Sequence, residues 1–319
     1  MEPFNQSSSR FILLGLSTVL YLKVIAFITF LVIYLITFLA NLLLIIVVMI
    51  NSKLHTPMYF FLTNLSMIDI CFSTTVIPKI LINTLAKDRS ISLLECAVQM
   101  HFHLALGSTE CFILAVMAYD RFAAICKPLH YNTIMSRKTC INLAAVSWIS
   151  SFIVSNLVVI YTFQMSFCHN HHVNHYFCEF PPLLKIACGD TWLHELMNYI
   201  FTSIIVSLFF VFILTSYIQI LSSILKIRSS HGRYKALSTC ASHIIVVTFF
   251  YGTIMILYLR PHSSSSPDID KSVSLIYSAV TPMLNPIIYS VRNKDVKDTV
   301  ENNLVKEVLQ SNAFLQKSY

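Results

Sequence analysis

Seven apolar runs, at about 24–50, 57–83, 97–119, 140–163, 196–225, 237–259 and 272–291, constrain this chain more than any other feature of it. Each is long enough to cross roughly 30 Å of hydrocarbon as a helix rising ~1.5 Å per residue. A backbone amide in lipid has no water to bond, so a span must satisfy its own N–H and C=O groups, and a helix does this for runs of such length. The runs leave no stretch for a separate soluble core, and charged residues make up only 12% of the 319 positions, about half the roughly 25% of a soluble domain. The expected fold class is an all-α membrane protein, a seven-transmembrane helix bundle. An odd number of crossings puts the two termini on opposite sides.

The Lys and Arg residues of the connections set the orientation. Lys53, Arg121, Lys127, Arg137, Lys138, Lys226, Arg228, Arg233, Lys235 and five more from Arg292 to Lys317 lie on the side of the C-terminus. Arg10, Lys23, Lys87, Arg89, Lys185, Arg260 and Lys271 lie on the other, and Lys79 falls inside the second run, from where its stem can snorkel outward. This two-to-one bias predicts a multi-pass plasma-membrane protein with a cytosolic C-terminus and an extracellular N-terminus. The net charge of +7 is then mostly a topology signal, and no basic patch with nucleic-acid spacing is present. Three parts follow: an extracellular segment 1–23, a membrane domain 24–291 and a cytoplasmic tail 292–319. In the tail, Val296, Val300, Leu304 and Val308 recur every four residues among charged ones, which predicts an amphipathic helix on the inner leaflet. Met1 to Arg10 carries no positive cluster ahead of an apolar run, so no cleavable signal peptide is expected. Asn5-Gln6-Ser7 is a glycosylation sequon on the side where glycosylation occurs, which makes the chain a candidate glycoprotein.

Of nine cysteines, Cys96, Cys168, Cys178 and Cys188 fall on the outer, oxidising side, where an even number favours bridges. Four cysteines allow three pairings, and spacing alone does not choose among them. The long segment from Gln164 to His194 also holds His169, His171, His172, His175 and His194. Imidazoles at this density can bind copper or zinc, but bridged cysteines offer no thiolate. A hydrated loop capping a cavity is the better reading.

Four stretches occur in order: Leu54-His55-Thr56-Pro57-Met58-Tyr59-Phe60-Phe61-Leu62, Met117-Ala118-Tyr119-Asp120-Arg121-Phe122-Ala123-Ala124-Ile125-Cys126, Lys235-Ala236-Leu237-Ser238-Thr239-Cys240-Ala241-Ser242-His243, and Pro282-Met283-Leu284-Asn285-Pro286-Ile287-Ile288-Tyr289. Together they resemble the signature stretches of the vertebrate odorant (olfactory) receptors, within the rhodopsin-like G-protein-coupled receptor superfamily. The likeness runs from Phe11-Ile12-Leu13-Leu14-Gly15 to Asn293-Lys294-Asp295-Val296 and is nearer the tetrapod branch, usually tuned to hydrophobic airborne odorants. Two departures bear on helix packing: Ala40 stands where the family has Gly before Asn41, and Phe122-Ala123 where it has Tyr-Val.

The resemblance implies an odorant receptor, not an enzyme: a small volatile molecule binds among the helices and a heterotrimeric G protein of the stimulatory olfactory type is activated, raising cAMP. It implies bridges Cys96–Cys178 and Cys168–Cys188. Asp120 and Arg121 at the inner end of the third span become the latch to the G protein, with Tyr217, His243, Asn285, Pro286 and Tyr289 as switching companions. Arg121 read by itself is a topology anchor, and Pro286 removes a helical amide, a local weakness suited to bending. Asp69 and Glu110 lie in mid-membrane, where an unpaired charge costs several kcal/mol, so something must compensate them. The family places a sodium ion or protons there, and no other cofactor is implied.

The third span presents His103, Leu104, Gly107, Ser108 and Cys111 at helical spacing on one face. Alignment to the family adds Phe201, Thr202 and Ile205 of the fifth span, Tyr251, Ile254 and Tyr258 of the sixth, and Leu275 and Ser278 of the seventh. The set is apolar and aromatic with a few hydroxyls and one imidazole, the usual make-up of a small-molecule site. It includes no Asp, Glu, Lys or Arg, so a neutral ligand is expected. Competing classes lack their marks: no zinc-ligand helix, nucleophile elbow or phosphate loop for an enzyme, no repeated halves with broken helices for a transporter, and no lysine deep in the seventh span for a retinal protein. An amine receptor would carry Asp where the third span has His103.

Overall fold

The computed structural model describes residues 10–15, 19–167, 171–258 and 267–291. The sequon at Asn5, the pairing of Cys168 and the tail helix from Val296 lie outside the described residues. Six long helices are apolar enough to cross a bilayer: α1 (Leu20–Ile50), α2 (Pro57–Leu85), α3 (Leu93–Cys126), α4 (Arg137–Phe163), α5 (Trp192–Leu225) and α6 (Ser230–Tyr258). The seventh, α7, runs as Pro267–Leu275, one π-helical turn Ile276–Val280 and Thr281–Val291. The bundle is that of a multi-pass membrane protein, as the apolar runs require.

Helices overshoot their apolar runs, because a helix stops where its end groups find partners and not where the lipid ends. α3 begins at Leu93, where Ser92 and Glu95 form a reciprocal capping box: Glu95 N–H donates to Ser92 Oγ (3.1 Å) and Ser92 N–H to Glu95 Oε2 (2.9 Å). The Ser136 hydroxyl caps α4 in the same way, accepting from Thr139 N–H.

Burial is inverted relative to a soluble protein. On α4 the inward stripe is Cys140, Ala144, Ser147, Ser151 and Ser155, while Ile149, Ile153, Leu157 and Ile160 face outward. Small side chains let α4 approach α3 closely, and lipid accepts the branched aliphatics without penalty. α3 is the axis, packing on α2, α4 and α5, and its buried face runs from Cys96 to Ala123. The departure at Phe122-Ala123 is absorbed by this packing: Ala123 is fully buried, and Phe122 packs beside Ile220, Ile224 and Cys240. Between α1 and α7, Asn41 Nδ2 donates to the Thr37 carbonyl (3.0 Å) and to the Pro282 carbonyl (3.1 Å).

One end of the bundle carries a lid. Strand β1 (Arg10–Leu13) pairs antiparallel with β2 (Ser90–Ser92) and parallel with β3 (His172–Val173), giving the order β2-β1-β3. Phe11 and Leu13 point inward and pack with Val173, Cys178, Phe180 and Met100. Lys79 reaches this lid as the snorkelling reading requires, its Nζ donating to the Ser90 carbonyl at 3.0 Å. Cys96 and Cys178 are bridged, with Cα atoms 5.3 Å apart across a sequence separation of 82. The Cys178 N–H donates to Gln99 Oε1, whose amide nitrogen in turn donates to the Thr75 carbonyl of α2. The connection between α4 and α5 is therefore not the hydrated cap expected from its histidines. Val173, His175, Phe177, Cys178, Glu179 and Phe180 are all buried, because the bridge draws the chain down between the helices. Among the described residues no group of three or more His, Cys, Asp or Glu side chains is placed to hold a metal ion.

Candidate ligand cavity and switch residues

Beneath the lid lies a cavity of about 90 Å³, well below the ~300–1,000 Å³ of sites for drug-sized ligands. Ten of the thirteen residues expected there line it: His103, Leu104, Gly107, Ser108 and Cys111 of α3, Phe201, Thr202 and Ile205 of α5, and Ile254 and Tyr258 of α6. Sequence reasoning missed Val154, Ser155 and Val158 of α4, Phe180 of the lid, Asn198 and Val206 of α5, and Tyr277 of α7.

Three expected residues do not line it. Tyr251 turns into the packing between helices, where its ring meets Phe210 and Phe250 and its hydroxyl donates to the Cys111 carbonyl at 3.4 Å. Leu275 packs beside Phe30, Val76 and Ile77, and the Ser278 hydroxyl returns to the Ser274 carbonyl at 2.6 Å. In α7 the residue that lines the cavity is Tyr277, within the π-turn Ile276–Val280, and not the Leu275 and Ser278 that alignment to the family supplies. The Tyr277 ring packs edge-on against Phe72, and a Cβ added at Gly107 would collide with the Tyr277 hydroxyl. Gly107 is thus fixed by a close aromatic neighbour as well as by room for a ligand.

Two polar groups set what the cavity can recognise. His103 is buried between Phe72 and Phe177 with its Nε2 lacking a partner. Tyr258 donates its hydroxyl hydrogen to Glu179 Oε1, so toward a ligand it can only accept. Glu179, adjacent to the bridged Cys178, was not legible as a site residue. Its other oxygen accepts from Ser274 Oγ of α7 at 2.8 Å. Burial pushes its carboxyl up, but His103, His175 and the two hydroxyls together outweigh this and hold it below its ordinary value. His175 Nε2 stands 3.6 Å from Oε2. Burial holds His175 itself below its ordinary value, against the pull of the neighbouring Glu179. The two hydroxyl bonds tie the lid to α6 and α7.

The residues expected to switch fall into two clusters below the cavity. In mid-bundle, Asn285 Nδ2 donates to Asp69 Oδ1 (3.0 Å) and reaches Glu110 Oε1 (3.4 Å), so two fully buried carboxyl groups share one amide. Asp69 Oδ2 and the Tyr289 hydroxyl are buried without partners. Pro286 follows Asn285 inside α7. Nearer the opposite end from the lid, His243 of α6 joins Tyr217 of α5 through Nδ1 (2.7 Å) and the Leu114 carbonyl of α3 through Nε2 (3.1 Å). Asp120 accepts from Arg121 Nη2 (2.7 Å) and from the hydroxyl of Tyr131 (2.7 Å), a residue of the α3–α4 connection that the sequence reading did not single out. Burial and the neighbouring Asp120 push the Tyr131 phenol up, which keeps it a donor.

Comparison with known proteins agrees with this arrangement. A family profile described as olfactory receptor matches residues 30–307. Olfactory receptor 8U3 of Mus musculus is 46% identical over 298 residues, 93% of this chain and 93% of its own length. Olfactory receptor 10A7 of Homo sapiens is 45% identical over 302 residues, covering 95% and 96%. Olfactory receptor 1E16 of Mus musculus is 46% identical over 304 residues, covering 95% and 97%. With a match along nearly the whole chain, joined to a lidded cavity inside a membrane helix bundle, the protein belongs to the olfactory receptor family of G-protein-coupled receptors.

Proposed function

We propose that this receptor detects a small, neutral, mostly apolar volatile molecule in the cavity under the lid and activates a stimulatory G protein of the olfactory type, raising cAMP. The observation that carries the ligand class is the lining itself: a space of about 90 Å³ lined by no Asp, Glu, Lys or Arg among the described residues, with His103 Nε2 the buried polar atom of that lining that lacks a partner. The carboxylate nearest to it, Glu179, is occupied by Tyr258 and Ser274. A charged ligand would find nothing to offset its desolvation. A ligand hydroxyl or carbonyl finds His103, whose ring nitrogen serves as donor or acceptor according to tautomer, and the Tyr258 oxygen as acceptor.

The lid faces the outside in this reading and the C-terminal tail 292–319 the cytosol, supported by the Lys and Arg bias and by the bridge in the lid, which an oxidising compartment favours. Asn5 then carries a glycan, and Cys168 pairs with Cys188. Asp69 and Glu110 hold a sodium ion or a proton in the resting state, since one shared amide leaves their charge unbalanced. Arg121 is the G-protein latch. A cAMP reporter assay of the intact receptor against a broad panel of neutral and charged volatiles tests the proposal, with surface-delivered Arg121→Ala as the silent control. Best agonists that are permanently charged, or full cAMP output from Arg121→Ala, overturn it.

A further inference from the structure

The cavity under the lid is not closed on every side. α4 and α5 both pack along α3, yet their backbones hardly approach each other. Two stripes at helical spacing border the cleft between them: Val154, Val158 and Tyr161 on α4, and His194, Asn198, Phe201 and Ile205 on α5. The stripes meet at the lid end, where Tyr161 stacks on His194 with ring centroids 4.3 Å apart. One turn beyond Ser108 and Ile205 the cleft closes again, as Phe112 of α3 meets Phe209 of α5 at 4.3 Å. Between these two aromatic contacts, Val154, Val158, Asn198, Phe201 and Ile205 line the cavity itself.

Exposure of the lining divides by side. Phe180 of the lid, Ile254 of α6 and Tyr277 of α7 are buried. Val154, Val158, Asn198 and Ile205 are half-buried, and so are Leu104 and Ser108, although α3 is the axis of the bundle. Phe201 is 44% exposed while it lines the cavity, so one ring is both wall and outer surface. The rim beyond it is Leu157 of α4 and Ile204 of α5, both exposed and apolar and both within spans that cross the bilayer, where lipid tails meet them. The way through the lid is barred by contrast. Phe11, Leu13 and Phe180 pack together there, the Cys96–Cys178 bridge holds the chain down, and Glu179 ties it to Tyr258 and Ser274. An apolar molecule has a second source, because each methylene favours hydrocarbon over water about fourfold and the bilayer collects it.

We propose that the cleft between α4 and α5 is the entrance to the ligand cavity, through which a small, neutral, apolar molecule passes sideways from the lid-side leaflet, with Phe201 as the gate. The inference rests on the cavity being the ligand site, as proposed above. The Tyr161–His194 and Phe112–Phe209 contacts frame the opening. Passage asks for a rotation of the Phe201 side chain, whereas entry through the lid breaks two buried hydrogen bonds of Glu179.

The test is the rate of entry, since affinity at equilibrium does not depend on the route. Full-length receptor in lipid nanodiscs is mixed rapidly with trifluoromethyl phenyl diazirine, a small neutral photoprobe, and flash-photolysed at increasing delays. Mass spectrometry then measures insertion at His103 and Tyr277, buried residues of the far wall. Leu157→Trp and Ile204→Trp narrow the opening from the lipid side, and each is expected to slow the rise of this label at least about fivefold while its final level stays at that of the wild type. Phe201→Ala removes the gate and speeds the rise about threefold. Ser274→Ala, which loosens the lid, leaves the rate unchanged. A rate indifferent to the changes at Leu157, Ile204 and Phe201 but raised by Ser274→Ala overturns the entrance and leaves the cavity as the ligand site. Absence of label at His103 and Tyr277 at every delay overturns both, because the cavity then admits no such molecule.

Discussion

The side-chain amide of Asn41 in α1 donates to the carbonyl of Pro282 in α7 at 3.1 Å. That carbonyl is the one whose helical partner, the amide four residues on, is missing because position 286 is proline. In lipid an unmet carbonyl has no water to turn to, so the weakness that lets α7 bend is closed by a neighbouring helix. Asn41→Ala is expected to lower the stability of the purified receptor by about 1–3 kcal/mol, seen as a lower Tm in detergent. An unchanged Tm would show that the contact carries no weight.

Glu179 makes the corresponding tie at the lid. Glu179→Ala strands the hydroxyls of Tyr258 and Ser274 in a buried place and is expected to lower both thermal stability and agonist potency. Ser274→Ala, which loses one bond, should lie between it and the wild type. Potency unchanged in both variants removes Glu179 from any role in coupling the lid to α6 and α7.

His175 gives the lid a pH dependence of known sign. Its folded-state value is held below the ordinary 6.5 by burial, so the unfolded chain takes up a proton first as pH falls. Its contribution to stability is complete above 6.5 and declines below it, by up to ~1.4 kcal/mol per pH unit for one group. Glu179 is also held low, so its own contribution persists through this window and is lost only below the ordinary carboxylate range. His175→Gln should therefore flatten the fall in Tm just below pH 6.5. A slope identical to the wild type sinks the assignment.

Gly107 separates two uses of a small residue. Gly107→Val places its side chain against Tyr277 and into the cavity, and agonist responses should fall at least tenfold in potency while surface delivery persists. Val154→Phe on α4, which also lines the cavity, should shift the agonist profile toward smaller molecules. Dose–response curves indifferent to both changes would move the ligand out of this cavity.

The bridge between Cys96 and Cys178 closes a long loop, with a sequence separation of 82, which by the chain-entropy account restrains the unfolded chain by roughly 4–5 kcal/mol. Either Cys→Ser variant should lose most of its surface expression by flow cytometry. Wild-type delivery and signalling in both would deny the bridge any role.

Glu110→Gln bears on the mid-bundle carboxyl pair. It keeps the shape and removes one charge, and the sodium and pH dependence of signalling should weaken relative to the wild type. Dependence carried over unaltered would dismiss regulation by a cation or proton at Asp69 and Glu110.

The sequence by itself determined the number of crossings, because lipid leaves helices as the answer to apolar runs of such length, and it determined the face of α3 that lines the cavity, because helical spacing is regular there. His103, Leu104, Gly107, Ser108 and Cys111 all reach that cavity. The tertiary structure decided what regular spacing cannot express. On α7 it is Tyr277, inside a π-turn, that lines the cavity, where alignment to the family places Leu275 and Ser278. A bridge 82 residues long in sequence draws Glu179 and His175 out of an apparently hydrophilic loop and into the bundle. Tyr131 meets Asp120, and Asn41 meets Pro282, across separations no local pattern records. These contacts are set by where polar groups find their partners once the helices have met, and in lipid that need is strict because water cannot supply the missing bond.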